Sequence, residues 1–287
     1  MGRGLRRLDQ ILVERGLFAN AQDALRSVLA GDVSTSGRRL DHAGELLPPD
    51  VSLHVRGHLP YVGRGGLKLE RGLDAFGVDP SGLACLDVGC STGGFTDCLL
   101  KRGAASVLSV DVGYAQFDWT LRQDPRVTLL ERTNIVDVPT SGRAGSIDLA
   151  VCDVSFTSVT TVLPAVCKLL SPDGSFLTLV KPQFEAERSR VGEGGVVGDP
   201  DVWLWSLRRV ISAFEKRSIG LRGCCASPIS GHKGNREFLL LGVCGAASLD
   251  LDLVGVVTEV AASSGEARAP RGTGAPDGRD GVDPTGR

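Results

Sequence analysis

At 287 residues and 42% hydrophobic content, the chain holds enough apolar material for one α/β domain of roughly 180–200 residues plus a small accessory module. A net charge of -2 argues against an indiscriminate nucleic-acid binder. No window reaches the ~18–20 uninterrupted apolar residues of a membrane span, and the basic start MGRGLRRLDQ lacks the apolar core of a secretory leader, so a cytoplasmic protein with no membrane association is expected.

The eight cysteines (85, 90, 98, 152, 167, 224, 225, 244) sit mostly in apolar runs such as ACLDVGC and LAVCDV, and none forms a CxxC pair. Buried reduced thiols are expected rather than disulfides, and no metal site. Residues 1–40 carry seven arginines and no lysine against Asp9, Glu14, Asp23 and Asp32, a local +3. Planar guanidinium forks suit phosphate, although a solvated helix face would look the same on charge alone.

Leu8, Ile11, Leu12 and Leu17 recur at helical spacing over 6–17, ending at Gly16. A second helix is expected over 20–30, opened by Asn20 as N-cap and closed by Gly31. Strand-like pieces follow around a turn at Gly37 and over 51–55, so that residues 1–58 read as a compact α+β module. The glycine-rich stretch 59–66 reads as a linker. From 67 to 261 helices alternate with apolar strands at 84–89, 106–112, 127–131, 147–153, 175–181 and 238–243. That alternation indicates a largely parallel sheet covered on both faces, a Rossmann-like α/β domain. Residues 262–287 lack apolar anchors and are expected to form a disordered tail.

The first βα turn, Asp87-Val88-Gly89-Cys90-Ser91-Thr92-Gly93-Gly94, departs from the GxGxxG of dinucleotide sites. Its glycines allow close approach of backbone N–H groups, and the helix that follows adds donors. An acid inside the strand end, Asp87, suits the cationic amino group of a methionine moiety better than a pyrophosphate. A second acid, Asp111, closes the next strand 24 residues later, placed to accept hydrogen bonds from a ribose diol. S-adenosylmethionine is therefore the expected cofactor.

Asp153 and Lys181 close two further strands, Glu237 opens the last, and Lys68 begins a helix whose Leu69, Leu73 and Phe76 face the core. Each alone reads as an ordinary surface charge. Together they offer two lysines and two carboxylates at one sheet edge, a set able to orient a lysine and remove a proton from a weakly acidic hydroxyl.

The stretches RLDQILVERGL, GRGGLKLERGL, CLDVGCSTGGFTDCLLKRGA, VDVGYAQFDWTLRQDPRV, LLERTN, DLAVCDVSFTSVTTVLPA, LVKPQFE and GNREFLLL together resemble the TlyA (haemolysin A) family of ribosomal RNA 2′-O-methyltransferases. The resemblance implies an S4-like RNA-binding module followed by an FtsJ-like class I methyltransferase domain. It places a Lys-Asp-Lys-Glu catalytic tetrad on Lys68, Asp153, Lys181 and Glu237, with Lys181 activating the ribose hydroxyl. It places cofactor contacts on Asp87, Gly89, Ser91, Gly93, Gly94, Asp111 and Val112, with Asn134 near the adenine, and RNA contacts on Arg6, Arg7, Arg26 and Arg64. The implied partner is ribosomal RNA in ribosomal subunits or ribosomes, bound by a monomer. Its implied target is a cytidine of the large subunit, with the small subunit left open. Two positions depart from the family pattern: Ala21 where S4 modules usually carry Arg, and Gly63 where family linkers often carry Ser. Three other readings compete: a membrane-active haemolysin, an RNA-binding protein with an inactive methyltransferase fold, and a methyltransferase acting on a small molecule.

Overall fold

The computed structural model describes residues 5–15, 17–18, 20–35, 38–49, 51–56 and 60–263. The chain divides into two compact units, Met1–Gly66 and Leu67–Arg287.

In the first unit, strand β1 (Arg6–Arg7) leads into helix α1 (Leu8–Glu14), followed by α2 (Ala21–Ala30), β2 (Val33–Thr35), β3 (Arg38–Arg39), β4 (Leu46–Leu47) and β5 (His54–Val55). Strand β1 pairs with β4, and β2 lies between β3 and β5, all antiparallel. Leu8, Ile11 and Leu12 meet Ala24 and Val28 in a small core completed by Val33, Leu40 and Val55. Helix α1 is shorter than the expected 6–17, because Arg6 and Arg7 are drawn into a strand by β4; Gly16 and the turn at Gly37 lie outside the described residues. The strand expected over 51–55 contracts to its last two residues. Helix α2 begins and ends as its sequence dictates. The Asn20 side chain accepts a hydrogen bond from Asp23 N (3.0 Å) and Gly31 closes the helix in the left-handed region at φ 77°.

Helix α3 (Gly65–Phe76) starts inside the span expected as linker. Beyond it come β6 (Ala84–Val88), α4 (Gly94–Lys101), β7 (Ser106–Val110), α5 (Trp119–Arg122), β8 (Val127–Leu130), β9 (Ile147–Cys152), α6 (Val159–Leu169), β10 (Leu170–Val180), α7 (Pro182–Glu185), α8 (Pro200–Glu215), β11 (Ile219–Ala226), β12 (Phe238–Cys244) and α9 (Leu253–Ser263). The strands form one seven-stranded sheet in the order β11-β12-β10-β9-β6-β7-β8. The pairs from β10 to β8 are all parallel, whereas β12 runs antiparallel to both β10 and β11. The sheet is thus mostly parallel and covered by helices, as α/β patterning requires, with one reversed strand that apolar periodicity could not reveal.

Strand β11 was not among the expected strands. Its sequence IGLRGCCA interrupts the apolar run with two glycines and exposed Arg222, which an edge strand tolerates. Both glycines are structural, since a Cβ at Gly220 would meet the Ala246 carbonyl oxygen at 2.2 Å and one at Gly223 the Phe76 ring at 2.4 Å. Trp203, Phe176, Phe214 and Phe238 are fully buried, and the Trp203 indole N–H donates to Val197 O at 2.7 Å. All eight cysteines are free thiols, four of them buried. Helix α9 continues two residues past the expected end of the domain, and residues 264–287 lie outside the described residues. No described helix is long and apolar enough to cross a membrane.

Replacing Asn20 by Ala should cost helix α2 about 1 kcal/mol. Amide hydrogen exchange in the full chain reads this as roughly fivefold faster exchange in α2, with the seven-stranded sheet unchanged; unchanged protection in α2 would show that the cap contributes nothing.

Candidate active site

Asp87, Asp111, Asp153 and Lys181 stand at the carboxyl ends of β6, β7, β9 and β10, the edge where open α/β sheets bind ligands. Between β6 and α4 the chain turns sharply through Gly89 (φ 82°), Ser91 (φ 47°) and Gly93 (φ 96°). A Cβ at Gly89 would lie 2.7 Å from the carbonyl oxygen of Asp153, so only glycine lets this turn close against the end of β9. Asp111 braces the turn from the side: its carboxylate accepts from Ser91 N at 2.8 Å and from Gly113 N at 2.6 Å.

Asp87 is fully buried. One carboxylate oxygen accepts from the Thr96 hydroxyl at 2.7 Å, while the other finds no hydrogen-bond partner among the described residues. Burial pushes its pKa up to about 7; the Thr96 hydrogen bond opposes the rise and the nearby charge of Asp153 adds to it. An unpartnered buried carboxylate oxygen beside a glycine turn and a helix N-terminus fits a cationic amino group, so the residues present suit the expected cofactor.

The second cluster is a chain of four charges. Lys68 Nζ donates to Glu237 Oε2 at 2.6 Å and lies 3.8 Å from Asp153 Oδ2. Lys181 Nζ stands 2.5 Å from Asp153 Oδ1, a contact of charge and distance with angles outside hydrogen-bond geometry, and donates to Ser155 Oγ at 2.9 Å. All four side chains are at most 18% exposed. Glu237 precedes β12, and because β12 is antiparallel its opening end lies at the carboxyl edge of the other strands. Lys68 reaches the same place from α3, which packs on the sheet through Gly72 against Leu177 and Leu239.

Residues 61–243 match the FtsJ-like methyltransferase family. The chain belongs to that family. It is 47% identical over 236 residues to an rRNA methyltransferase provisionally named YqxC from Bacillus subtilis, covering 82% of this chain and 84% of the relative. It is 42% identical to the 16S/23S rRNA (cytidine-2′-O)-methyltransferase TlyA of Mycobacterium tuberculosis, covering 82% and 88%. A solved structure from Streptococcus thermophilus that carries a provisional hemolysin name superposes with a TM-score of 0.68 at 36% identity, covering 92% of this chain and 97% of that one.

Within this FtsJ-like methyltransferase the structure brings the four tetrad candidates together and gathers Asp87, Gly89, Ser91, Gly93, Gly94 and Asp111 around one turn. It does not bring Val112 and Asn134 to the small cavity lined by Cys90, Ser91, Asp111, Gly113, Tyr114, Gln116, Phe117 and Glu131. Val112 is 70% exposed, and Asn134 instead caps a short 3₁₀ turn, accepting from Val136 N at 3.2 Å. In the first unit Arg6 pairs with Glu14 and Arg26 with Asp23 on the surface, Arg7 pairs with the buried Asp9, and Arg64 is exposed. Arg6, Arg7 and Ala21 line one groove of about 430 Å³.

Three residues escaped the sequence reading. Ser155 touches Lys181. Phe156 is 92% exposed with a left-handed backbone (φ 63°), and its ring lies 5.3 Å from Phe184, itself 6.0 Å from Lys181 Nζ. An exposed aromatic held at positive φ is strained by ~1–3 kcal/mol. Gly231 presses on the quartet: a Cβ there would meet Glu237 Oε1 at 2.1 Å. No residue type or spacing signals Gly231, since its constraint comes from a side chain across a loop.

Gly231 has an ordinary φ of -72°, so Gly231→Ala strains contacts rather than backbone. The variant should push Glu237 from Lys68 and lower methyl transfer at least ~10-fold while remaining folded; wild-type turnover with an unchanged melting curve would refute this. Asp87 generates a second expectation. Between about pH 4 and 7 the folded chain keeps a proton there that the unfolded chain has lost, so ligand-free stability falls as pH rises through that window. Urea unfolding of the wild type should lose on the order of 2–4 kcal/mol more than Asp87→Asn between pH 4.5 and pH 8; parallel curves would mean that Asp87 titrates as an ordinary carboxylate.

Proposed function

We propose that the chain methylates the 2′-hydroxyl of a cytidine ribose in ribosomal RNA, with S-adenosylmethionine as methyl donor and Lys181 as the group that takes the hydroxyl proton. The observation that carries this reading is the continuous contact from Glu237 through Lys68 and Asp153 to Lys181, beside the turn that suits the cofactor. Bound there, S-adenosylmethionine supplies an electrophilic methyl group on a sulfonium, already activated for transfer.

Asp87 would hold the amino group, Asp111 the ribose hydroxyls, and Gly89, Ser91, Gly93 and Gly94 the backbone surface between them. Lys181, once its ammonium has released a proton to solvent, accepts the hydroxyl proton, and Asp153 stabilises the ammonium that re-forms. Ser155 fixes the direction of Nζ. Lys68 and Glu237 neutralise one another and hold Asp153 from its other oxygen. Much of the acceleration then comes from holding acceptor and donor in line. Exposed Phe156 offers a stacking face to a base unstacked from its helix.

On this reading residues 1–58 form an S4-like module whose Arg6, Arg7 and Arg26, with Arg64 beyond it, contact phosphates, each arginine exchanging its acidic neighbour for RNA. The protein acts as a monomer, in the cytoplasm, on ribosomal subunits or ribosomes. The 16S/23S rRNA (cytidine-2′-O) specificity named for the Mycobacterium tuberculosis relative, 42% identical across most of both chains, supports the substrate.

Tritiated-methyl transfer to 30S, 50S and 70S particles tests the reading. Wild type should label at least one of them, and Lys181→Ala should lose on the order of 10²–10⁴-fold in rate while binding S-adenosylmethionine normally by calorimetry. Label persisting in Lys181→Ala would remove Lys181 from its role, and no label with wild type would remove ribosomal RNA as substrate.

A further inference from the structure

Glu185 is 1% exposed, yet it takes no part in the ion pairs of the quartet. It closes α7, the single turn that begins immediately after Lys181. Its carboxylate crosses to the neighbouring segment: Oε2 accepts from the Ser158 hydroxyl at 2.5 Å and Oε1 accepts from Val159 N at 2.7 Å. Ser158 and Val159 end the loop that starts at Asp153 and open helix α6. The Glu185 main-chain carbonyl is held in turn by the Arg209 guanidinium of α8.

Capping alone does not account for this arrangement. Ser158 already caps α6, its hydroxyl accepting from Thr160 N at 3.0 Å. Burying a glutamate costs more than the ~1 kcal/mol a second cap returns, and burial indeed drives its pKa upward against the two hydrogen bonds. What the carboxylate adds is a connection between two loops that lie 26 residues apart in sequence. The loop 153–158 touches Lys181 at its first half, through Asp153 and Ser155, and touches Glu185 at its second. The turn 181–185 carries both anchoring residues, one at each end.

We propose that Glu185 is a positioning residue for the methyl transfer: it clamps the Asp153–Ser158 loop to the Lys181–Glu185 turn and so fixes the placement of Asp153 and Ser155 against the Lys181 amine. This rests on the assignment of Lys181 and Asp153 above. Without the clamp the second half of the loop keeps only the Phe156–Phe184 ring contact with the turn, while Asp153 is still held by Lys68 and by Val88 O. A displacement of about 1 Å at Ser155 or Asp153 is enough to cost about 10²-fold in rate.

The test compares full-length wild type, Glu185→Ala, Glu185→Gln, Ser158→Ala and Lys181→Ala. Each is measured for kcat and KM on the ribosomal particle that wild type labels, for S-adenosylmethionine affinity by calorimetry, and for melting temperature. Glu185→Ala should lower kcat by ~10–100-fold with cofactor affinity within about twofold of wild type, because Asp87 and Asp111 stand on other strands. Glu185→Gln keeps an acceptor for Val159 N and a polar partner for Ser158, so it should recover most of the turnover. Wild-type kcat in Glu185→Ala overturns the proposal, as does Glu185→Gln failing equally, or cofactor affinity falling in step with kcat. If Glu185→Ala does not fold, Ser158→Ala decides: a severalfold loss of kcat supports the clamp and wild-type kcat overturns it. Full activity in Lys181→Ala would sink the assignment beneath the proposal, whereas an inactive Lys181→Ala beside a fully active Glu185→Ala would sink the clamp alone.

Discussion

Two lysines and two carboxylates packed into one sheet edge can be tolerated only as a set. Each buried charge loses hydration worth several kcal/mol, and their mutual attraction offsets that loss only where every member has an oppositely charged neighbour. Here the charges sum to zero and alternate in space: Glu237, Lys68, Asp153, Lys181. Removing any one leaves its neighbour unpaired at low exposure, so the set constrains the four segments that supply it as much as they constrain it. The order also has direction. Glu237 is the least exposed, at 3%, while the Lys181 end adjoins exposed Ser155 and Phe156. The Glu237 end anchors, and Lys181, itself only 9% exposed, meets the surface through those two neighbours, where an acceptor can approach its amine.

This set exists because one strand runs the wrong way. In an all-parallel sheet a residue that opens a strand lies at the opposite edge from residues that close strands. Glu237 opens β12 and would then sit a full strand length from Asp153 and Lys181. The antiparallel pairing of β12 with β10 brings Phe238 opposite Val180, and Glu237 arrives beside the residues that follow the parallel strands. The same edge is tied to the cofactor turn by contact rather than by charge. Gly89 lies against the carbonyl of Asp153, so the turn proposed for the methyl donor and the strand end proposed for the acceptor share a boundary with no room for a side chain.

Period and punctuation made much of this legible. The nearly continuous apolar runs at β6, β7, β9 and β10 gave their positions within a residue or two at most ends, and Asn20 and Gly31 gave both ends of α2. Charged residues just past β9 and β10, just before β12 and in the first turn of α3 singled out the quartet. What stayed hidden depends on partners far away in sequence. Strand β11 carries too little apolar sequence to announce itself, and the reversal of β12 has no local signature. The expected ends of α1 failed because Arg6 and Arg7 follow β4 rather than their own helical spacing. Asn134 carries a local role that the motif did not announce: it stands before a short helical turn and its side-chain oxygen caps it. Glu185 and Gly231 matter through contacts across loops, which no spacing encodes.

The places where the fold departs from its own rules are concentrated at this edge. Asp87 holds a buried oxygen without a partner and a carboxyl that burial keeps protonated to about pH 7. Ser91 and Phe156 take backbone angles that glycine would take more cheaply, and Phe156 turns its ring to solvent. None of these helps a sheet to fold or a helix to pack. Each becomes favourable once the edge holds ligands: a cation completes Asp87, a tight turn aims backbone N–H groups, and a flat base covers the phenyl ring. A sequence selected only for stability would have removed them, since neutral or smaller residues at all three positions are easy substitutions. Their persistence together, around a neutral chain of four charges, is the physical argument that this edge is organised for transfer between two bound molecules rather than for the stability of the sheet.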